Sequence, residues 1–231
     1  MRIDKLLGNL KYGSRKEIKD LARKNSIKVN GIVINDSSIT VDPVCDKIEI
    51  NDQMVFYKDS IHLMINKPKN YLSANHDGYH KTVIDLIKEP YSRFDLKIAG
   101  RLDIDSIGLI ILTTDGNFVH QITSPNSNVA KTYEVILEKS IQQSDIEKLI
   151  EGVIIKDGNN QEFFSKAIKI EQLEEKKCLI VIDEGKFHQV KRMFEAVKNK
   201  VIELKRIKIG NLELNDLEEG KYIEFSKEEL L

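Results

Sequence analysis

The 231-residue chain has no tryptophan, two cysteines and four prolines. Cys45 and Cys178 stand far apart, and neither belongs to a CxxC or CxxxH pattern. A disulfide framework and a cysteine-bound metal are therefore not indicated, and two reduced thiols in a cytoplasmic protein are expected. Few prolines and only 12 glycines exclude low-complexity and collagen-like sequence. No apolar run approaches the ~18 residues of a membrane-spanning helix, so no membrane partner is expected. The opening MRIDKLLGNLKYGS lacks the apolar stretch and small-residue cleavage site of a signal peptide. Charge of one sign is also missing: 36 basic residues face 37 acidic ones. What is present, 41% hydrophobic and 32% charged residues, suffices for a core and is too apolar for a disordered chain. The length suits one large domain or two unequal ones.

The neutral total hides a segregation. Residues 1–30 hold nine basic against three acidic residues, residues 31–60 two against six, and residues 186–210 eight against two. Two basic segments inside a neutral chain suit a polyanion footprint, although solvated helix faces have the same composition. In the first segment Ile3, Leu6, Leu7 and Leu10 follow helical spacing, and Gly13 stops the run. Ser14 and Glu17 form a capping box that opens a second helix reaching about Asn25, with Ile18, Leu21 and Ala22 as its apolar stripe. Strands at 27–29 and 32–34 flank Asn30-Gly31, the favoured dipeptide of a type I′ hairpin, and 46–50 alternates as a third strand. The cations of this unit, Arg2, Lys5, Arg15, Lys16 and Lys19 among them, suit a phosphate backbone read by charge and shape.

Domain boundaries follow: a small α-β domain over 1–56, a linker at 57–60 and a larger domain over 61–231. In the larger domain strands are expected at 61–66, 108–114, 131–138, 178–183 and 201–209, and helices at 81–88, 116–123, 144–151 and 188–198. This order lacks strict β-α-β alternation, so the fold class is α+β, with a mixed, mainly antiparallel sheet flanked by helices.

Four stretches carry chemistry-bearing residues. Asn66-Lys67-Pro68 with Tyr71 follows an apolar strand, where it also reads as a plain strand exit. A-G-R-L-D-I-D-S-I-G, residues 99–108, sets Arg101, Asp103 and Asp105 in a glycine-bounded loop ahead of an apolar strand. Catalytic groups favour such loops, and an Arg–Asp pair that merely fixes the loop has the same appearance. Lys131 and Tyr133, two apart on a strand, share a face on which a phosphate and a base could sit. E-G-K-F-H-Q-V-K-R-M-F, residues 184–194, opens a helix whose start, with Lys186 and His188, suits an anion. Lys191 and Arg192 leave that helix about 100° apart, so one at most faces a given point.

Taken together and in this order, the stretches identify a resemblance. R-I-D-K-L-L, S-R-K-E-I and I-K-V-N-G-I-V resemble the S-four-like RNA-binding domain. I-N-K-P-K-N-Y, A-G-R-L-D-I-D-S-I-G-L, K-T-Y, E-G-K-F-H-Q-V-K-R-M-F and V-I-E-L-K-R-I-K-I-G resemble the RsuA-type pseudouridine synthases over essentially the whole chain. Asn70 stands where a glycine is common in that family, and asparagine tolerates the left-handed backbone such a turn needs.

The resemblance implies isomerisation of a uridine in ribosomal RNA, with no cofactor and no metal. The N1–C1′ bond breaks, the uracil turns, and C5 bonds to C1′. It implies Asp103 as the essential carboxylate, either nucleophile at C1′ or base at the sugar. Lys191, with Arg192 second, would be the cation that keeps it ionised, and Tyr133 would stack on the uracil and serve in proton removal from C5. Arg101 would grip phosphate or help open the stack, and Lys131, Lys186, His188 and Arg192 would join the basic N-terminal residues in holding RNA. The expected partner is small-subunit (16S) RNA or an assembling particle, met by a monomer in the cytoplasm. Relatives acting on large-subunit RNA and a non-catalytic RNA-binding protein are the alternatives. A glycosidase would want a second carboxylate across the sugar, and Asp105 is too close in the loop for that.

Overall fold

The computed structural model describes residues 1–124, 127–156 and 158–230. The chain is α+β and divides into two compact units. One comprises residues 1–61 with 87–95, and the other residues 62–86 with the chain from 96 onward. Residues 87–95, placed by sequence in the second domain, thus cluster with the first unit.

In the first unit helices Ile3–Asn9 and Arg15–Arg23 precede a small antiparallel sheet in which Ile27–Val29 lies between Ile32–Ile34 and Ile48–Ile50. The second helix starts where the capping box requires. The Ser14 hydroxyl accepts from the Glu17 N–H at 3.3 Å, and the Glu17 carboxylate accepts from the Ser14 N–H at 2.7 Å. Asn30 and Gly31 both take positive φ, 51° and 79°, as a type I′ turn demands. Ile3, Leu6, Leu7, Ile18, Ala22 and Ile27 are buried together with Ile48 and Ile50. Helical periodicity then leaves Lys5, Arg15, Lys16 and Lys19 exposed.

The second unit is organised by a sheet that has nine strands among the described residues. Its main path runs Lys169–Glu174, Lys177–Ile182, Lys131–Leu137, Val201–Ile209, Ile107–Thr113, His62–Lys67, Tyr222–Glu224. Pairing is antiparallel except between Val201–Ile209 and Ile107–Thr113, which run parallel. Leu109, Ile110, Ile111 and Leu112 are buried on both faces of the sheet, hence the unbroken apolar run. Helix Gly116–Thr123 is capped by Asp115, whose carboxylate accepts from the N–H groups of Asn117 and Phe118. Helices Gln143–Glu151 and Gln189–Ala196 fall close to their expected ranges.

The helix expected over 81–88 is only a 3₁₀ turn, Val83–Leu86. Its backbone is committed elsewhere: Lys81 O accepts from Leu72 N–H, and Leu72 O accepts from Val83 N–H, each at 2.9 Å. The strands Lys97–Ala99, Lys169–Glu174 and Tyr222–Glu224, and the hairpin of Val153–Lys156 with Glu162–Ser165, are not among those expected from the sequence.

The parallel pair imposes a local demand for glycine. Gly108 has φ 110°, and a Cβ there would stand 2.2 Å from the Arg206 carbonyl oxygen and 2.7 Å from its nitrogen. Gly108→Ala combines that clash with backbone strain of about 1–3 kcal/mol. At about 2–4 °C per kcal/mol for a protein of this size, the thermal midpoint of the second unit falls by several degrees in calorimetry. An unchanged midpoint would show that the two strands can separate freely.

Candidate functional site

The site begins with a row of residues across the sheet. Register aligns Ile180 with Tyr133, Tyr133 with Arg206, Arg206 with Gly108, and Gly108 with Lys67. Directly paired residues share a face, so these side chains project from one side of the sheet. Gly108 contributes no side chain, and the Arg206 backbone occupies the position a Cβ would take.

Arg206 is 2% exposed. Its Nε donates to the Leu109 carbonyl at 2.7 Å, Nη2 to Gly100 at 2.9 Å and Nη1 to Arg101 at 3.4 Å. The guanidinium carbon lies 6.0 Å from the centre of the Tyr133 ring. The fork therefore ties down the loop that leads into Asp103. Lys67, wholly buried, holds the following turns through the carbonyls of Pro68 at 3.0 Å and Ile104 at 3.4 Å. Burial pushes its amine down to about 8, against the opposing pull of Asp105 and Asp103. The Ser73 hydroxyl donates to the Leu102 carbonyl at 2.7 Å and accepts from the Leu102 N–H at 3.0 Å. Asn70 takes the left-handed φ of 67°, and its N–H reaches the Ile104 carbonyl at 2.8 Å.

The Asp103 carboxylate meets two groups from the segment that opens helix Gln189–Ala196. Lys191 Nζ lies 2.9 Å from Oδ2 and His188 Nε2 3.3 Å from Oδ1. Lys191 also bonds Asp105 at 2.7 Å. His188 takes a left-handed backbone, φ 51° and ψ 27°, just ahead of the helix. Such strain persists only where the surroundings enforce it. Lys186, His188 and Asp103 line a cavity of about 190 Å³ with Arg101, Tyr133 and Arg206. One water needs only about 10–15 Å³ by the same measure, so the space suits a small ring system.

The structure thus brings Asp103, Tyr133, Lys191, His188, Lys186 and Arg101 to one place. It separates others. Lys191, not Arg192, reaches the carboxylate, because Arg192 bonds the Lys156 carbonyl and lies 5.0 Å from the Phe187 ring centre. Lys131 lines the cavity, yet it is buried and its amine donates to the carbonyls of Val129 at 2.8 Å and Asp183 at 3.3 Å. Burial, then the charge of Arg206, pushes it below the usual lysine range. That commitment to main chain corrects the expectation of a phosphate-holding Lys131. Arg2, expected to hold RNA, forks onto Asp4 in its own unit.

Arg206, Ser73 and Gln189 are site residues that the sequence does not single out, and Lys67, noted there at a strand exit, proves to be a buried anchor of the following turns. Gln189, 3% exposed, donates to the Ser165 hydroxyl at 2.8 Å and to Glu184 at 3.0 Å, and accepts from the Lys186 N–H at 3.0 Å. It fixes the loop that carries Lys186 and His188. Its one sequence signal is its place inside the motif of residues 184–194.

Electrostatics couples the pair of carboxylates to Lys191. Burial pushes Asp105 up, but the hydrogen bond and charge of Lys191 outweigh it and leave the carboxyl below its usual range. Burial likewise pushes Lys191 down, and its bonds to Asp105 and Asp103 outweigh that and raise it. The Asp105 contribution to stability is present above the ordinary aspartate value near 3.9 and is lost as pH falls through the lower folded value. The Lys191 contribution is present below about 10.4 and is lost as pH rises through the higher folded one. Lys191→Met removes both. The Asp105 titration followed by NMR then moves to higher pH, and a titration that stays put would refute the coupling.

Comparisons with known proteins identify the family. An S4 domain profile matches residues 1–48, and an RNA pseudouridylate synthase profile matches residues 61–196. The chain is 40% identical over 231 residues to the "uncharacterized RNA pseudouridine synthase YtzG" of Bacillus subtilis, spanning all of this chain and 97% of that one. It is 34% identical over 231 residues to ribosomal small subunit pseudouridine synthase A of Escherichia coli, spanning all of this chain and 98% of the relative. A crystal structure of a pseudouridylate synthase superposes with a TM-score of 0.68 at 33% identity, over all of this chain and 98% of the other. With an S4 domain ahead of a synthase domain that carries the cavity, the chain belongs to the RNA pseudouridylate synthase family and is a pseudouridine synthase.

Proposed function

We propose that the protein isomerises a uridine of small-subunit (16S) ribosomal RNA, with Asp103 as the catalytic carboxylate. The observation that carries the reading is the Asp103 carboxylate at a cavity wall, 2.9 Å from Lys191 and 3.3 Å from His188, with Tyr133 lining the same cavity. The full-length relatives named ribosomal small subunit pseudouridine synthase A support the choice of RNA.

A uridine must leave its helix before C1′ and C5 come within reach of a side chain. Once seated, its uracil stacks against Tyr133, 6% exposed and itself backed by Arg206. Asp103 acts at the sugar, either at C1′ as nucleophile or on a sugar proton. The N1–C1′ bond breaks, the ring turns and C5 bonds to C1′. The C5 proton is lost and N1 gains one, so atoms balance without oxidant or hydrolysis. Lys191 lies 2.9 Å from the carboxylate and sets a positive charge beside it. Arg101 and Lys186, both exposed at the cavity, take phosphates, while Lys5, Arg15, Lys16 and Lys19 bind other phosphates of the backbone.

Ribosomal RNA from cells lacking the gene, read by mass analysis, should lose one pseudouridine in 16S RNA. Loss from 23S RNA instead would overturn the small-subunit assignment. Asp103→Asn should bind RNA as the parent does and retain less than about a hundredth of its turnover. Turnover above that level sinks the assignment of Asp103. Replacing Arg15, Lys16 and Lys19 together by Gln should reduce the slope of log affinity against log salt by roughly 0.7–0.9 for each phosphate no longer neutralised. A retained slope would show that the protein grips the RNA backbone elsewhere.

A further inference from the structure

We infer that the rim of the cavity carries a stacking seat for an unpaired nucleotide adjacent to the target uridine, built on Phe187 with His188, Arg192 and Lys186. The inference rests on the reading of the substrate as RNA. Phe187 stands between two cavity-lining residues, yet it is 54% exposed. Exposed apolar residues are ordinary when isolated. This one is embedded in a stack. Its ring lies parallel to that of His188, 3.8 Å between centres and 18° between planes, and the Arg192 guanidinium carbon lies 5.0 Å from its centre. Arg192 is itself bonded to the Lys156 carbonyl. Beside it, Lys186 Nζ stands 3.8 Å from the centre of the half-buried Phe163 ring. Lys186, which lines the cavity, and Arg192 thus each form a cation–aromatic pair.

Charge complementarity and continuity select the occupant. Residues 186–210 carry eight basic against two acidic groups, which suits a polyanion. His188 touches both the Phe187 ring and Asp103, so one imidazole separates the seat from the carboxylate. A strand that places a uridine in the cavity must pass its neighbours over this rim, and unstacked RNA bases settle on aromatic rings and guanidinium planes. Because every base has a π-face, the seat demands an unpaired flank rather than a particular base.

The test uses a single-stranded RNA of about ten nucleotides with a central uridine flanked by 2-aminopurine. The chain has no tryptophan, so that fluorescence is read cleanly. The wild-type protein should quench the probe on binding. Phe187→Ala should bind it roughly 5- to 150-fold more weakly and leave it bright, and Phe187→Tyr should restore both. Equal quenching, and affinity within about threefold, for wild type and Phe187→Ala would overturn the seat. Pseudouridine formation on a 16S transcript is followed in the same preparations. Differential quenching without any pseudouridine would support the seat and defeat the 16S reading. Pseudouridine formation with equal quenching would do the reverse.

Discussion

Arg206 is a guanidinium sealed inside a protein, and its hydrogen bonds go to main chain. A buried cation is tolerated only when its donors are met, and the planar fork of arginine fixes where the acceptors must stand. Here the acceptors are the carbonyls of Gly100, Arg101 and Leu109. Satisfying one side chain therefore sets the path of the loop and the start of the strand that follows it. The glycines of that stretch have other causes: Gly108 has no space for a Cβ against the Arg206 backbone, and Gly100 takes a φ of 86° that side chains rarely adopt. Asp103 is placed because its predecessors cannot move.

The other buried cations obey the same rule. Lys67 and Lys131 both donate to carbonyl oxygens and not to carboxylates. A carboxylate partner would lower the cost of burying them, but it would put that negative charge to structural use. With main chain serving these groups, the Asp103 carboxylate faces the cavity and the helix that brings Lys191 and His188. Lys191 is shared by two carboxylates, Asp103 and Asp105. Sharing leaves the three groups with a net negative charge.

Much of this is legible in the sequence because it is local. The Ser14–Glu17 capping box, the Asn30-Gly31 turn and the doubly buried run Leu109–Leu112 each announce themselves within a few residues, and the strands and helices around them fall within a residue or two of expectation. The order of motifs carries the family. What escapes is decided by distant partners. Arg206 sits in V-I-E-L-K-R-I-K-I among residues of like charge, and nothing local separates it from Lys205 or Lys208. Only the strand pairing reveals that it is sealed beneath the loop. Lys67, before a proline at a strand exit, has the same ambiguity. Lys131 differs from its expected role because strand alternation reveals its face and not its depth. The strands Lys169–Glu174 and Glu162–Ser165 are largely exposed, so they lack an apolar signature.

The division between buried and exposed cations explains how a chain of formal net charge −1 can serve a polyanion. Affinity for phosphate depends on cations that stand in solvent, not on the total. Lys67, Lys131 and Arg206 are buried and committed to main chain, and Arg2, though exposed, is paired with Asp4. Exposed cations stand on helix Arg15–Arg23 and, as Arg101 and Lys186, at the cavity mouth. Much of the acidic excess lies in residues 31–60, outside both basic segments. At the cavity wall the half-buried Asp103 carboxylate is held between Lys191 and His188. A polyanion at the cavity mouth therefore meets the exposed cations Arg101 and Lys186 despite the neutral total.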